Sequence, residues 1–246
     1  MDKDFLKLYF EFKKIKAQEW IPSRRNGPTG IGYTFEYLLN KKEDCMRKPD
    51  YLDIEIKTMR YFSKRKIHLF NLSPKCIDDS PTKRLVNLLG YPHKKYPNSR
   101  VFYASVNAQE YSKVGYKLLK LKLDYEHKKI WLLAKNIYGK TYKLDIFWDF
   151  SDIENALCEK MNKLAIVKAL HKEINGKDHF YYTSINFYRL RFPLTFVQLI
   201  AKGIITINFK IDIYSYGNRL GKLHDKGTDF SMFEKDIELL YDKIWY

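Results

Sequence analysis

The chain contains no apolar run long enough to cross a membrane: Ile130-Trp131-Leu132-Leu133-Ala134 is typical of what it offers, against the ~18 residues a helical span needs. Cysteine is scarce. Cys45, Cys76 and Cys158 are odd in number and far apart, so they form neither a disulfide framework nor a zinc motif, and a reducing cytoplasm is the expected compartment. No repeat, low-complexity tract or Gly/Ser/Pro-rich linker interrupts the chain. The first residues, Met1-Asp2-Lys3-Asp4, are acidic at once and lack the basic-then-apolar order of a secretory signal. Acid is the most telling shortage: 29 Asp and Glu stand against 45 Lys and Arg, a formal charge of +16 in 246 residues.

A hydrophobic content of 45% with 16% aromatics excludes disorder as the main state. The length suits one large domain or two modest lobes. An excess of +16 creates a field that draws polyanions. A coding bias toward Lys, Tyr, Ile and Asn would account for part of it.

Asp4 to Trp20 carries Phe5, Leu8, Phe12 and Ile15 at the spacing of one helical face, and Pro22 ends it. A polar loop from Ser23 to Gly32 follows, then a second helix over 34–42 with Thr34 as its cap and Glu36 in its first turn. From Tyr51 the period changes to two, giving strands at 51–58, 66–72, 100–106, 117–125, 130–134 and 142–148. A helix over 152–163 precedes strands at 164–170 and 179–187. Pro193 opens a short helix that Gly203 closes. A strand at 204–214, an irregular basic loop at 215–228 and a final amphipathic helix complete the pattern. This is an α+β chain with mixed sheets, expected to divide into lobes at 1–125 and 126–246.

The segment Pro49-Asp50-Tyr51-Leu52-Asp53-Ile54-Glu55-Ile56-Lys57-Thr58 is the most informative. As a strand it turns Leu52, Ile54 and Ile56 toward a core and Asp53, Glu55 and Lys57 the other way. Asp50 follows a proline where the chain enters the strand, so its side chain escapes that parity. Two carboxylates and an ammonium beside a backbone carbonyl suit phosphodiester hydrolysis: the acids hold Mg²⁺, and the lysine orients or deprotonates water and stabilises charge. A solvated Glu-Lys pair on a strand face would read the same way, and Glu11-Phe12-Lys13 repeats the spacing inside a helix.

Taken together, Gly30-Ile31-Gly32-Tyr33-Thr34-Phe35-Glu36-Tyr37-Leu38-Leu39, Glu43-Asp44, Pro49-Asp50, Asp53 through Thr58, Leu69 through Pro74, and Gly221-Lys222-Leu223-His224-Asp225-Lys226-Gly227-Thr228 with Phe230 resemble the MvaI/BcnI family of Type II restriction endonucleases, on its MvaI side. These are PD-(D/E)xK nucleases related to the mismatch-repair nickase MutH. The resemblance covers both ends of the chain in order, and the stretch near 75–140 stays outside it. It implies a PD-(D/E)xK core of mixed β-sheet flanked by helices, with a second α/β lobe that recognises DNA across a cleft. It also implies that Asp50, Glu55 and the Ile56 carbonyl bind Mg²⁺ and that Lys57 is catalytic. Glu36 falls where the family places a further acidic residue, and it reads equally as a helix N-terminal carboxylate. Asp53 matches no catalytic position.

The loop 27–32 is glycine-rich but lacks the Gly-Lys-Ser/Thr ending of a phosphate-binding loop, so no nucleotide cofactor is expected. The resemblance places such a loop at the minor groove through Thr29, Gly30 and Ile31. Strand 204–214 alternates a buried row, Ile205, Ile207, Phe209, Ile211 and Ile213, with Thr206, Asn208, Lys210, Asp212 and Tyr214. That polar row is either a solvated sheet face or a set of donors and acceptors for base edges in the major groove. The resemblance selects the second reading for Asn208, Lys210, Asp212 and Tyr214, and adds Tyr216, Arg219, Lys222, His224, Asp225, Lys226 and Thr228. The family pattern has an arginine where this chain has Lys210, a histidine at Lys226 and an arginine at Ser231, and Arg and Lys differ as bidentate readers. The chemistry is therefore kept while the target sequence is open.

The expectation is a cytoplasmic, Mg²⁺-dependent endonuclease that cuts double-stranded DNA at a short, near-palindromic site. It would act as a monomer that cuts the strands in turn, alongside a cognate DNA methyltransferase and without membrane attachment. A MutH-like nickase and a noncatalytic nucleic-acid-binding protein are the rival readings.

Overall fold

The computed structural model describes residues 2–41 and 48–244. Glu43 and Asp44 lie outside the described residues, and the helix expected over 34–42 ends at Leu38. Five α-helices occur among the described residues: α1 (Lys3–Lys16), α2 (Gly30–Leu38), α3 (Pro81–Leu89), α4 (Phe150–Lys160) and α5 (Leu194–Ala201). The chain divides into two units, Met1–Ile67 with Leu157–Phe192 and Ile237–Tyr246, and His68–Ala156 with Pro193–Asp236. It passes between them four times, and residue 125 lies inside the second unit. Each unit is assembled from segments remote in sequence, which a reading of local composition does not reveal.

The first unit is built on a sheet ordered Ile21–Pro22, Lys177–Leu190, Lys163–Ile174, Ile54–Arg60, with Tyr241–Ile244 also on the long second strand. Lys163–Ile174 and Lys177–Leu190 form an antiparallel hairpin. Asn175 and Gly176 turn it with φ of 51° and 72°, the left-handed pair that an Asn-Gly hairpin turn requires. Ile54–Arg60 pairs in parallel with Lys163–Ala169, Glu55 opposite Leu164 and Lys57 opposite Ile166. Helix α1 buries Phe5, Leu8, Phe12 and Ile15, and α2 buries Ile31 and Phe35, in a common core with Ile54, Ile56, Val167 and Tyr182. Asp2 caps α1 by accepting from the Asp4 N–H at 3.0 Å.

Helix α2 starts four residues before the expected cap. Thr34 is fully buried inside it, and its Oγ1 accepts from the Arg24 N–H at 2.9 Å. Its hydroxyl therefore tethers the preceding loop rather than the helix end. Leu52 is another correction: it is half exposed with φ 55°, because the chain turns at 52–53 and the strand begins only at Ile54.

The second unit holds two further sheets. One orders Lys75–Cys76, Ile146–Asp149, Lys129–Asn136, Lys117–Asp124 and Ser112–Val114. The other has Thr206–Ile213 at its centre, between Arg100–Val106 and Asp229–Met232, with Leu223–Asp225 also paired to it. Phe70, Phe196 and Phe230 pack with ring centroids 5.0–5.8 Å apart, and the Trp148 indole N–H donates to the Leu72 carbonyl at 3.0 Å.

The final helix expected after residue 228 is replaced by strand Asp229–Met232, a 3₁₀ turn at Glu234–Leu239 and strand Tyr241–Ile244. Tertiary pairing decides here, since Tyr241–Ile244 completes an edge against Phe187–Leu190. Helix α3, begun by Ser80-Pro81, lies in the stretch that the resemblance does not cover. No helix of the described residues is long and apolar enough to cross a membrane.

Candidate active site

Strand Ile54–Arg60 is the last of its sheet on this side, so alternate backbone groups face away from the ladder. Asp50 Oδ2 accepts the Ile56 N–H at 2.9 Å. In an extended strand a residue's N–H and C=O leave on the same side, which points the Ile56 carbonyl along the edge that Asp50 occupies. Asp50 Oδ1 accepts from Lys41 Nζ at 2.8 Å. Glu55 is almost wholly buried and takes Lys57 Nζ on Oε1 at 2.6 Å, while its Oε2 is buried with no hydrogen-bond partner. A second ammonium, Lys160 at the end of α4, lies 3.4 Å from the same Oε1. The neighbouring turn is fixed by buried Leu157 and Met161 and by the Tyr241 hydroxyl donating to the Met161 carbonyl at 3.0 Å.

The two carboxylates are shifted in opposite directions. Burial raises the Glu55 carboxyl above its ordinary value, helped by Asp50, and Lys57 and Lys160 only partly offset this. Burial also acts on Asp50, but Lys41 and the Ile56 N–H outweigh it and hold Asp50 below the usual range. An orphaned buried carboxylate oxygen beside an ionised carboxylate and an edge carbonyl is a donor set of hard oxygens that fits a divalent cation. Asp53 is spent elsewhere: it lies 2.7 Å from Lys163 Nζ, which also binds Asp2 and Asp4.

Glu36 sits one helical turn beyond Gly32, where a Cβ would stand 3.1 Å from Thr58 Oγ1 and 3.9 Å from Glu36 Oε1. Gly32 thus lies between the Glu36 carboxylate and the Thr58 hydroxyl. The Gly27–Gly32 segment differs from the expected exposed loop: Gly30 and Ile31 are buried in the first turn of α2, and the Ile31 carbonyl accepts from the Tyr182 hydroxyl at 2.8 Å. Only Thr29 of the three keeps an exposed side chain.

On strand Thr206–Ile213, Ile207, Phe209, Ile211 and Ile213 are buried as the alternation requires. The opposite row is already hydrogen-bonded. Asn208 Nδ2 donates to Asp229 Oδ1 at 2.6 Å and to Ser231 Oγ at 2.8 Å, and Lys210 pairs with Asp229. Asp212 accepts from Lys226 and from Tyr103. Burial works against ionising Asp212, yet these two donors hold its pKa at about 2. His224 stacks on Tyr214 at 4.1 Å, and Arg219 donates to the Tyr214 hydroxyl at 3.2 Å. Asp225 accepts from Thr82 Oγ1 at 2.6 Å and from the Gly227 N–H at 2.8 Å. Tyr216 and Lys222 are exposed. Thr228 is buried, its carbonyl taken by the Leu72 N–H at 2.9 Å, so its side chain is not on the polar face.

Lys41, Lys160, Tyr103 and Thr82 are the site groups that spacing along the chain does not signal. Lys160 reaches Glu55 over 105 residues, and Tyr103 meets Asp212 only through the pairing of Lys210 with Tyr103.

The sequence profile of the MvaI/BcnI restriction endonuclease family matches residues 10–241. Among solved structures, "Restriction endonuclease MvaI-cognate DNA substrate complex" is 26% identical, aligns over 99% of this chain and 98% of its own, and superposes with a TM-score of 0.90. "Restriction endonuclease MvaI in the absence of DNA" is 25% identical over the same shares, with a TM-score of 0.62. A search of curated protein sequences returned no match.

Proposed function

Because this chain belongs to the MvaI/BcnI restriction endonuclease family and is a Type II site-specific deoxyribonuclease, we propose that it hydrolyses double-stranded DNA with Mg²⁺ held by Asp50, Glu55 and the Ile56 carbonyl. The observation that carries this is the strand edge itself: Asp50 locked on the Ile56 N–H, with Glu55 Oε2 buried and unpartnered beside it. When bound, the metal supplies charge neutralisation at the scissile phosphate and a water of lowered pKa. Lys57 Nζ, 2.6 Å from Glu55, is placed to orient that water and to stabilise the charge that develops on the phosphate. Lys160 keeps a further positive charge on the same carboxylate, and Glu36 contributes a further acidic group from α2.

The first unit is the catalytic lobe in this reading. The sheet around Thr206–Ile213 carries the base-reading face, with Asn208, Lys210, Tyr214, His224 and Asp225 as readers and Thr29 reaching the minor groove. The one catalytic cluster among the described residues fits a monomer that cuts one strand and then the other. The enzyme would work in the cytoplasm, beside a methyltransferase that protects the host's own sites.

Incubating the protein with a sequenced plasmid, with and without Mg²⁺, and mapping every new end tests the whole. The expected outcome is metal-dependent ends that share one short motif, with a nicked circle preceding the linear form. Metal-independent cutting would remove the proposed ligand set. Nicking that never proceeds to linear DNA would favour a strand-nicking enzyme.

A further inference from the structure

Tyr103 stands on strand Arg100–Val106 directly across from Lys210, on the polar face of the second unit's central strand. Its hydroxyl donates to Asp212 Oδ2 at 2.5 Å, and Lys226 Nζ donates to the same Oδ2 at 2.7 Å. Lys226 also donates to the Tyr103 hydroxyl at 3.3 Å, closing a three-membered ring of contacts. The other carboxylate oxygen, Oδ1, accepts the Ile213 N–H at 2.9 Å. His93 completes the shell. Its Nδ1 accepts backbone N–H groups of Lys95 and Tyr96, which leaves the proton of the neutral ring on Nε2, 3.7 Å from Asp212 Oδ1. The Lys226 backbone is fixed as well, its N–H donating to the Lys210 carbonyl at 2.9 Å.

Counting donors and acceptors settles what this group offers outward. Asp212 accepts three hydrogen bonds, two on Oδ2 and one on Oδ1, and the capacity left on Oδ1 is the oxygen that lies 3.7 Å from His93 Nε2. Lys226 has three N–H donors and uses two. Tyr103 gives its one proton to Asp212 and accepts from Lys226, which leaves one lone pair. The outward face is one N–H beside one oxygen lone pair. The Lys226 charge is cancelled by Asp212, so the group adds little attraction to phosphate.

Resting on the reading that this face meets DNA, we infer that Tyr103, Asp212 and Lys226 form one base-reading unit. Asp212 is its positioning residue, and Lys226 Nζ and Tyr103 Oη read an acceptor beside a donor in the major groove. Adenine presents that pair as N7 and its 6-amino group; a G·C pair presents it as guanine O6 beside the cytosine 4-amino group.

The test compares wild type, Tyr103→Phe, Lys226→Met and Asp212→Asn on the cleavage site and on every single-base-pair variant of it, with binding measured across a salt series. Wild-type cutting at one discrete site is the control. If that fails, the endonuclease reading fails and not this unit. Tyr103→Phe and Lys226→Met should relax discrimination at the same base pair, by about 5–150-fold, without changing the salt slope. Asp212→Asn frees the Lys226 charge for phosphate and should steepen the log–log slope by about 0.9. An A·T pair at the relaxed position identifies adenine. At a G·C pair, 7-deazaguanine should leave discrimination intact, and its loss would overturn the assignment. Unchanged discrimination in Tyr103→Phe at every position would also overturn it. So would a uniform loss in Lys226→Met with a slope flatter by about 0.9, which marks a phosphate contact.

Discussion

Lys160 Nζ lies 3.4 Å from Oε1 of Glu55, although 105 residues separate them and the two sit on a helix end and a strand. Glu55 therefore faces two ammonium groups, one two residues away on its own strand and one delivered by α4. Burial favours the neutral acid, and each lysine opposes it.

Removing Lys160 should therefore move the acid limb of the pH–rate profile upward. Its charge lowers the Glu55 pKa, so Lys160→Met lets burial raise it further, and each unit of displacement costs about tenfold in ionised Glu55 at a fixed acidic pH. At high pH the rate should return toward wild type, and Lys160→Arg should restore the limb. A loss of rate that is the same at every pH would show that Lys160 acts on something other than Glu55.

Glu55→Gln should abolish cleavage and raise thermal stability together. The folded-state pKa of Glu55 lies above its ordinary value of 4.5. Folding therefore favours its protonated form, and stability is lost as pH rises through the raised pKa. A neutral glutamine escapes that loss. At pH 7–8 the variant should melt higher, at about 2–4 °C per kcal/mol for a chain of this size. The difference should shrink as pH falls below the ordinary value. Equal melting at all pH values would mean that Lys57 and Lys160 fully compensate the buried charge.

How far the sequence reached can be judged on these same residues. The clustering of Asp50, Glu55 and Lys57 at one strand edge was readable because strand alternation and a proline at the strand entry fall within nine consecutive residues. The buried face of Thr206–Ile213 was readable for the same local reason. Lys160, Tyr103 and Lys41 were not, because they reach the site through tertiary packing. The start of α2 was misplaced because Thr34 resembles a cap while its hydroxyl holds the Arg24 N–H. The last segment was read as a helix because its hydrophobic spacing permits one, and only the edge offered by Phe187–Leu190 makes Tyr241–Ile244 a strand.

Asp212 should stabilise the protein at neutral pH and lose that contribution in acid. Its folded-state pKa is depressed from 3.8 to about 2: burial pulls upward, and Lys226 with Tyr103 pulls further down. A depressed carboxylate contributes stability above its unfolded value and loses it as pH falls through the folded value. Asp212→Asn should thus unfold more readily than wild type at pH 4–7, with the gap closing as pH falls from about 4 to 2. A gap that stays constant across that window would assign the effect to packing rather than to charge.

Gly30 begins α2 where no side chain fits. A Cβ there would overlap the Arg25 carbonyl oxygen and Ser23 Oγ, and those two groups are hydrogen-bonded to each other at 2.6 Å. Neither can withdraw without breaking that bond or displacing the turn that leads into the helix. Gly30→Ala should therefore destabilise the chain by about 1–3 kcal/mol, the usual range for overpacking, against the small gain alanine brings to an unobstructed helix. Because α2 also carries Glu36, the further acidic residue of the proposed active site, the shift should reduce cleavage more than it reduces DNA binding. The contrast is Gly27, where φ is 86° but nothing lies within 4 Å of a Cβ. Gly27→Asn should cost only the backbone strain of the left-handed region, which asparagine bears better than most side chains. Thermal melts of both variants, with cleavage and binding measured on one duplex, check this. Equal melting of Gly30→Ala and wild type would mean that the Ser23–Arg25 turn gives way freely and does not set the position of the helix.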